Sequence, residues 1–403
     1  MSAYVARQPI FNGNLEIYGY ELLFRDEAES NQFTDVGGDA ASSETIVNSF
    51  HDIGIERITD GKRAFVNFTE KLLLDKVATI LPSKILVIEV LETILPTKEI
   101  LAVCSELRTM GYLIALDDFI LSPEYMPFIE VADIIKVDFM SSPMDEIEAF
   151  AKSIKTRPIR LLAEKIETYE IFEAAKRMGF RLFQGYFFSK PVIMKSRGVL
   201  GPLKVNCMRL IHLSIQPDVN FSKIADIIKQ DTALSFLLLR VVNSAFFGMR
   251  YKIKGIRQAL AILGMTELKK WITIISMTRL KDNRPGELIT IALIRARFLE
   301  LAAPLAGIKS DAENLFMIGL MSLMDAIMDM PLADILQETS VSDEISETLL
   351  TRTGKRGDML SMIIAYEYSE WDTAQELAGK CSLTMSKVST LYIDSIEWAH
   401  SIR

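Results

Sequence analysis

The sequence predicts an α/β protein, a TIM-like β/α barrel followed by an all-α domain, and three observations carry that prediction. From Leu15 to about Pro191, short apolar runs alternate with longer helical segments, which is the rhythm of parallel strands covered by helices. Nearly every run ends in a polar residue, which suits a closed barrel better than an open sheet with one crevice. After Pro191 the strand signal stops, and helical spacing continues to the end of the 403-residue chain. That length exceeds one hydrophobic core, so the expected division is residues 1–195 and 196–403.

In chain order, the expected strands are 17–23, 63–68, 85–90, 112–116, 134–137, 159–163 and 181–183, each a short β-rich run. Amphipathic stretches at 43–52, 97–110, 144–155 and 169–178 supply the covering helices. The segment from Ile193 to Lys204, with Gly198, Gly201 and Pro202, reads as the junction. Helical apolar spacing then recurs at 221–229, 233–243, 256–263, 266–277, 288–305, 312–328, 343–351, 358–368, 371–380 and 386–402.

Composition excludes several classes. Hydrophobic residues make up 49% of the chain, yet the longest apolar stretches are broken by Glu267, Lys269 and Lys270, and by Arg295, Arg297, Glu300 and Pro304. No membrane insertion is expected, because about 20 uninterrupted apolar residues are needed to span a bilayer. The first residues lack an apolar signal segment, so the expected location is cytoplasmic. Cys104, Cys207 and Cys381 show neither metal spacing nor a disulfide framework. With a net charge of −8 and no dense Lys/Arg run, a nucleic-acid polymer is not an expected partner.

The chemistry concentrates where the apolar runs end. Glu21, Asn67, Glu89, Asp117, Asp118, Lys136, Glu164 and Gln184 all lie at or just past such ends, as a barrel delivering ligands to one site requires. Clustered carboxylates repel unless cations join them, and hard oxygen donors select Mg²⁺, Mn²⁺ or Ca²⁺ over zinc. The adjacent Asp117 and Asp118 suit two metals about 4 Å apart. Lys136 puts a cation beside them for a phosphate oxygen or a water, and Arg25 adds a phosphate contact. The chemistry implied is two-metal phosphoester hydrolysis. Taken singly, a carboxylate at a strand end is more often a helix cap or surface charge than a site residue, and Lys136 alone also reads as a snorkelling side chain.

The segments Tyr20 to Arg25, Val66 to Thr69, Glu89 to Thr93, Leu116 to Phe119, Ile135 to Asp138, Ala163 to Thr168 and Phe183 to Tyr186 resemble, in order, the motifs of EAL domains. That resemblance implies a barrel hydrolysing cyclic di-GMP to linear pGpG with two divalent ions, Mg²⁺ or Mn²⁺, with Ca²⁺ inhibitory. It makes Glu21, Asn67, Glu89, Asp117 and Asp118 metal ligands. Lys136 would orient the attacking water, Glu164 would be metal ligand or general base, and Gln184 would hold a water of the metal shell. Arg25 would bind a phosphate of the dinucleotide, and Glu92 would anchor the loop after the paired aspartates. A homodimer is implied as well. Three departures stand out: Leu22 replaces an alanine, Lys165 replaces a glycine, and the loop from Phe119 to Pro123 has no glycine. Glycine permits backbone conformations that Ile and Leu resist, so weakened turnover, or a catalytically silent cyclic di-GMP receptor or scaffold, is the alternative expectation.

In the second half, Gln230 to Leu234 followed by Leu237 to Gly248 resembles the HDOD module, an HD-like helical fold without catalytic metal ligands. At 319–326 only Asp325 stands where an HD enzyme would show its histidine and aspartate. The resemblance implies a regulatory surface for an unidentified protein partner. The run from Met317 to Met330 is a candidate contact, although core packing is the better reading. His51-Asp52-Ile53-Gly54 spells an HD metal signature by chance, because the only other histidines are His212 and His400.

Overall fold

A computed structural model of the chain describes residues 3–26, 54–119, 124–189, 221–230, 255–280, 285–328, 330–339 and 341–402, with single positions between 210 and 253. Two compact units emerge, one formed by residues 1–190 with 361–403 and the other by 191–360. A split at 195/196 assigns 361–403 to the helical domain, whereas by contact these residues group with the barrel.

The first unit is a closed eight-stranded barrel in sequential order. Its strands are β1 (Ala3–Asn12), β2 (Ile17–Asp26), β3 (Arg63–Phe68), β4 (Leu86–Val90), β5 (Leu113–Leu116), β6 (Ile134–Asp138), β7 (Arg160–Glu164) and β8 (Leu182–Phe183). Seven of these correspond to the expected runs. The eighth, β1, was not foreseen, and it runs antiparallel to both β2 and β8 while all other neighbours are parallel. The cause is local. Asn12 Oδ1 accepts hydrogen bonds from the backbone N–H of Asn14 and Glu16 at 2.9 and 3.0 Å, closing a turn too short for a parallel crossover.

Helices α1 (Ile55–Thr59), α2 (Glu70–Leu74), α3 (Lys98–Thr109), α4 (Met144–Ser153) and α5 (Tyr169–Met178) lie between the strands. Thr69, Thr97 and Thr168 cap three of them, each side-chain oxygen accepting a backbone N–H in the first turn. Gly179, at φ 106°, ends α5 in the left-handed conformation that glycine adopts without strain. The expected helix at 43–52 and the junction at 193–204 lie outside the described residues.

The barrel's lower interior is filled by Ile10, Phe65, Val87, Ala115, Ile134, Leu162 and Leu182, packed by Tyr18 and Leu113. These residues set the phase of every strand. Side chains alternate with period two, so the positions two residues further along form the next interior ring. In β3 to β8 and just beyond, those positions are Asn67, Glu89, Asp117, Lys136, Glu164 and Gln184.

The other unit is helical in its described residues: α6 (Phe221–Gln230), α7 (Ile256–Leu280), α8 (Gly286–Leu305), α9 (Ala312–Met321), α10 (Met324–Met328), α11 (Leu332–Thr339) and α12 (Asp343–Thr351). The two helices expected at 256–263 and 266–277 meet at Gly264, whose φ of 70° kinks the single element α7. The expected helix at 312–328 is divided into α9 and α10, α11 was not anticipated, and 233–243 lies mostly outside the described residues. Met321, Met324 and Met328 are buried, so the methionine run packs largely into the core. The chain continues through α13 (Gly354–Glu367) into α14 (Trp371–Lys380) and α15 (Met385–Ile402).

Candidate functional site

The second interior ring converges on one side chain. Lys136 is fully buried, and its Nζ lies 2.6 Å from Asp117, 2.8 Å from Glu89, 3.0 Å from Glu164 and 3.5 Å from Glu21. Burial opposes its charge, but Glu164, Glu21, Glu89 and Asp117 together outweigh that and hold the ammonium well above the ordinary lysine range. The snorkelling reading is thereby excluded: the amine points into the barrel.

One ammonium cannot neutralise four carboxylates. Burial pushes the Glu164 carboxyl up to about 8 despite Lys136, with Asp117 and Glu21 adding to the rise. Burial likewise raises Glu89 well above its usual range, against the pull of Lys136. Both shifts arise first from removal of the carboxyls from water, and the neighbouring carboxylates add to them.

The remaining candidates fall in three places. Gln184 joins the cluster, its Nε2 donating to Glu21 Oε2 at 2.5 Å and to Gln8 Oε1 at 3.0 Å. Asp118 turns away at φ 37° and faces Lys165, whose Nζ is 3.8 Å from it and 2.6 Å from Asp138. Burial, followed by Asp117, raises the Asp118 carboxyl. Arg25 stands apart from the lysine cluster, where its guanidinium pairs with Asp372 at 3.0 Å. Glu92 is exposed two residues beyond β4 and shares a small cleft with Asp117, Phe119, Tyr125 and Phe128. The glycine-free loop that it was expected to anchor falls outside the described residues at 120–123.

Among the described residues, no three His, Cys, Asp or Glu side chains are drawn together tightly enough to enclose a metal ion by themselves. In the barrel, the carboxylates are instead gathered on Lys136. Yet three buried oxygens here lack a hydrogen-bond donor: Asn67 Oδ1, Asp118 Oδ1 and Gln184 Oε1. The Glu89 carboxylate, wholly buried, has the Lys136 ammonium at 2.8 Å as its partner and shares it with three other carboxylates. Buried oxygens of this kind are costly unless something positive completes them. An all-oxygen set is the donor chemistry of Mg²⁺, Mn²⁺ and Ca²⁺, so these residues fit such ions.

Several residues of the site were not anticipated. Gln8, on the antiparallel β1, lies two residues before interior Ile10 and therefore joins the same ring as Gln184. Its Nε2 donates to the Tyr186 hydroxyl at 3.2 Å, and Tyr186 packs against Tyr368 with ring centroids 3.9 Å apart. Asp138 follows Lys136 closely in sequence and takes the Lys165 ammonium. Gln8 lies on the one strand that the sequence pattern did not disclose, and nothing near Tyr368 announced its position. In the helical unit, Asp325 accepts a hydrogen bond from the Ala326 N–H, and burial raises its carboxyl. His51 and His212 lie outside the described residues. His400 packs 3.3 Å from Arg7 and 3.9 Å from Asp60.

Comparison with known proteins agrees with this architecture. The EAL domain profile matches residues 52–191 and the HDOD domain profile matches residues 200–352. The EAL match begins downstream of Glu21 and Arg25, so their placement rests on strand β2. The uncharacterised protein YuxH of Bacillus subtilis is 36% identical over 410 aligned residues, covering 100% of this chain and 99% of YuxH. The cyclic di-GMP phosphodiesterase CdgJ of Vibrio cholerae is 34% identical, covering 100% of this chain and 93% of CdgJ. Among solved structures, the EAL enzyme Bd1971 in its cAMP- and cyclic di-GMP-bound form aligns with a TM-score of 0.40 at 21% identity. That alignment covers 47% of this chain and 62% of Bd1971, a little under two thirds of its length. The matched domains, their order and the full-length relatives place this chain in the family of two-domain EAL–HDOD proteins.

Proposed function

We propose that the barrel is a cyclic di-GMP phosphodiesterase that releases linear pGpG and works with two divalent ions, Mg²⁺ or Mn²⁺. The observation that carries this reading is the ring of buried oxygens around Lys136. A full-length relative named as a cyclic di-GMP phosphodiesterase supports the choice of substrate. Glu21, Asn67, Glu89, Asp117 and Asp118 would hold the ions, which supply charge for the phosphoryl oxygens and activate a water. Lys136 keeps its proton and so acts as a fixed cation that positions a water or phosphate oxygen. Glu164, held beside the Lys136 ammonium at 3.0 Å within the same ring, is placed to take a proton from an attacking water. Gln184 fixes the Glu21 carboxylate, and Arg25 offers a guanidinium to a phosphate. The helical unit, with Asp325 as the remnant of an HD centre, serves as a partner-binding module of a cytoplasmic, homodimeric protein.

A second reading is favoured by one observation. The Lys165 ammonium lies 3.8 Å from Asp118, where it competes with a cation for that carboxylate and would leave a receptor that binds without turnover. Incubating the purified protein with cyclic di-GMP and Mg²⁺ or Mn²⁺, beside Glu21→Ala and a binding titration in Ca²⁺, separates the two. Linear pGpG formed by the native chain alone is expected. Binding without product would leave the receptor, and neither binding nor product would remove both.

A further inference from the structure

We propose that Asp372 is a built-in competitor for the phosphate of the ligand: its carboxylate holds Arg25 until a phosphate displaces it. This inference rests on the reading of Arg25 as a phosphate contact and adds how access to that contact is controlled.

Arg25 and Asp372 are 347 positions apart in sequence, yet their side chains pair at 3.0 Å. Both partners are fixed to the same strand. Arg25 lies opposite Tyr4 in the β1–β2 register, and the next β1 residue, Val5, accepts a hydrogen bond from the Tyr366 hydroxyl at 3.1 Å. Tyr366 is wholly buried, and it packs edge-on to Trp371 at 5.2 Å and against Tyr392 at 5.0 Å. Asp372 follows Trp371 directly, in the first turn of α14, where an anion is favoured by the helix dipole. The same corner seats Tyr368 on Tyr186, which is joined through Gln8 and Gln184 to Glu21. The corner from Tyr366 to Asp372 thus lies along one wall of the site, and its carboxylate is delivered by a rigid aromatic anchor.

The pair is suited to yield. The Asp372 side chain is 80% exposed, and exposed ion pairs hold weakly. A phosphate offers the guanidinium a bidentate, more highly charged partner. Asp372 therefore lowers affinity for phosphate-bearing ligands without blocking them.

The test is a set of calorimetric titrations on the full chain, with cyclic di-GMP in Ca²⁺ and with inorganic pyrophosphate as a probe free of the nucleoside. Asp372→Ala and Asp372→Asn should bind both about two- to fivefold more tightly than the native protein, the range set by one exposed pair. Asp372→Glu should behave as native. In an Arg25→Ala background the gain should vanish. No gain for either ligand, or a gain that persists without Arg25, overturns the proposal. A pyrophosphate gain with no cyclic di-GMP binding in any variant keeps the competitor and instead refutes the proposed substrate.

Discussion

Replacing Lys136 with methionine tests the electrostatic logic of the barrel directly. The side chain is fully buried, with Asp117, Glu89, Glu164 and Glu21 at 2.6, 2.8, 3.0 and 3.5 Å from its Nζ. Methionine keeps the volume and removes the charge, leaving four carboxylates with no cation among them. Removing one partner of a buried pair costs about 3–5 kcal/mol. For a unit of this size that corresponds to a fall of roughly 6–20 °C in melting temperature. The pH dependence has a definite sign. A carboxyl whose folded pKa is raised contributes stability below its unfolded value that is lost as pH rises through the folded one. Glu164 is pushed up to about 8 and Glu89 is raised in the native protein, and both rise further without Lys136. The deficit of Lys136→Met should therefore be large at pH 8 and smaller at pH 5, where these groups take protons. Scanning calorimetry in EDTA at both values measures it. Saturating Mn²⁺ should recover part of the loss by mass action, about 4 kcal/mol at a thousandfold excess over Kd. Native-like melting at pH 8 in EDTA, or an equal deficit at both pH values, would refute the reasoning.

Three further outcomes are expected. Gly185→Ala should fold poorly or melt many degrees lower, because its φ is 140° and an added Cβ would meet the Ile166 carbonyl oxygen at 2.2 Å; native-like melting would show that the turn after β8 can relax. Lys165→Gly should tighten Mn²⁺ binding in calorimetric titration, since Lys165 sits at φ 53° and its ammonium occupies Asp118 and Asp138. Unchanged metal affinity would show that the lysine does not compete. Burial pushes the Cys104 thiol from 9.0 to about 11, so its contribution is intact below the unfolded pKa near 9 and is lost as pH rises toward 11. Over that interval the native protein should lose roughly 2–3 kcal/mol more than Cys104→Ala, at 1.36 kcal/mol per unit. Parallel urea-stability profiles for the two proteins would contradict this.

The ring of the candidate site was legible in the sequence because strand geometry is local. A period of two links Phe65 to Asn67, Val87 to Glu89, Ala115 to Asp117, Ile134 to Lys136, Leu162 to Glu164 and Leu182 to Gln184. Once the upstream residue of each pair is recognised as core, the downstream one must share its face. The first strand was harder to read. Its Arg7, Gln8 and Pro9 dilute the apolar signal, and its antiparallel direction is set by the Asn12 turn.

What the sequence by itself determined is therefore which residues share an interior face, because alternation along a strand is a property of a few consecutive residues. Only the tertiary structure decided that one ammonium gathers four carboxylates, that Gln8 braces Gln184, and that Asp372 meets Arg25. Closing the barrel brings eight strand ends to a common axis, and burial there changes ordinary carboxyls into competing charges. Residues 361–403 group with the barrel through contacts such as that of Tyr366 with Val5. Such pairings depend on which surfaces remain to be covered after local structure forms, and no short stretch of sequence contains that information.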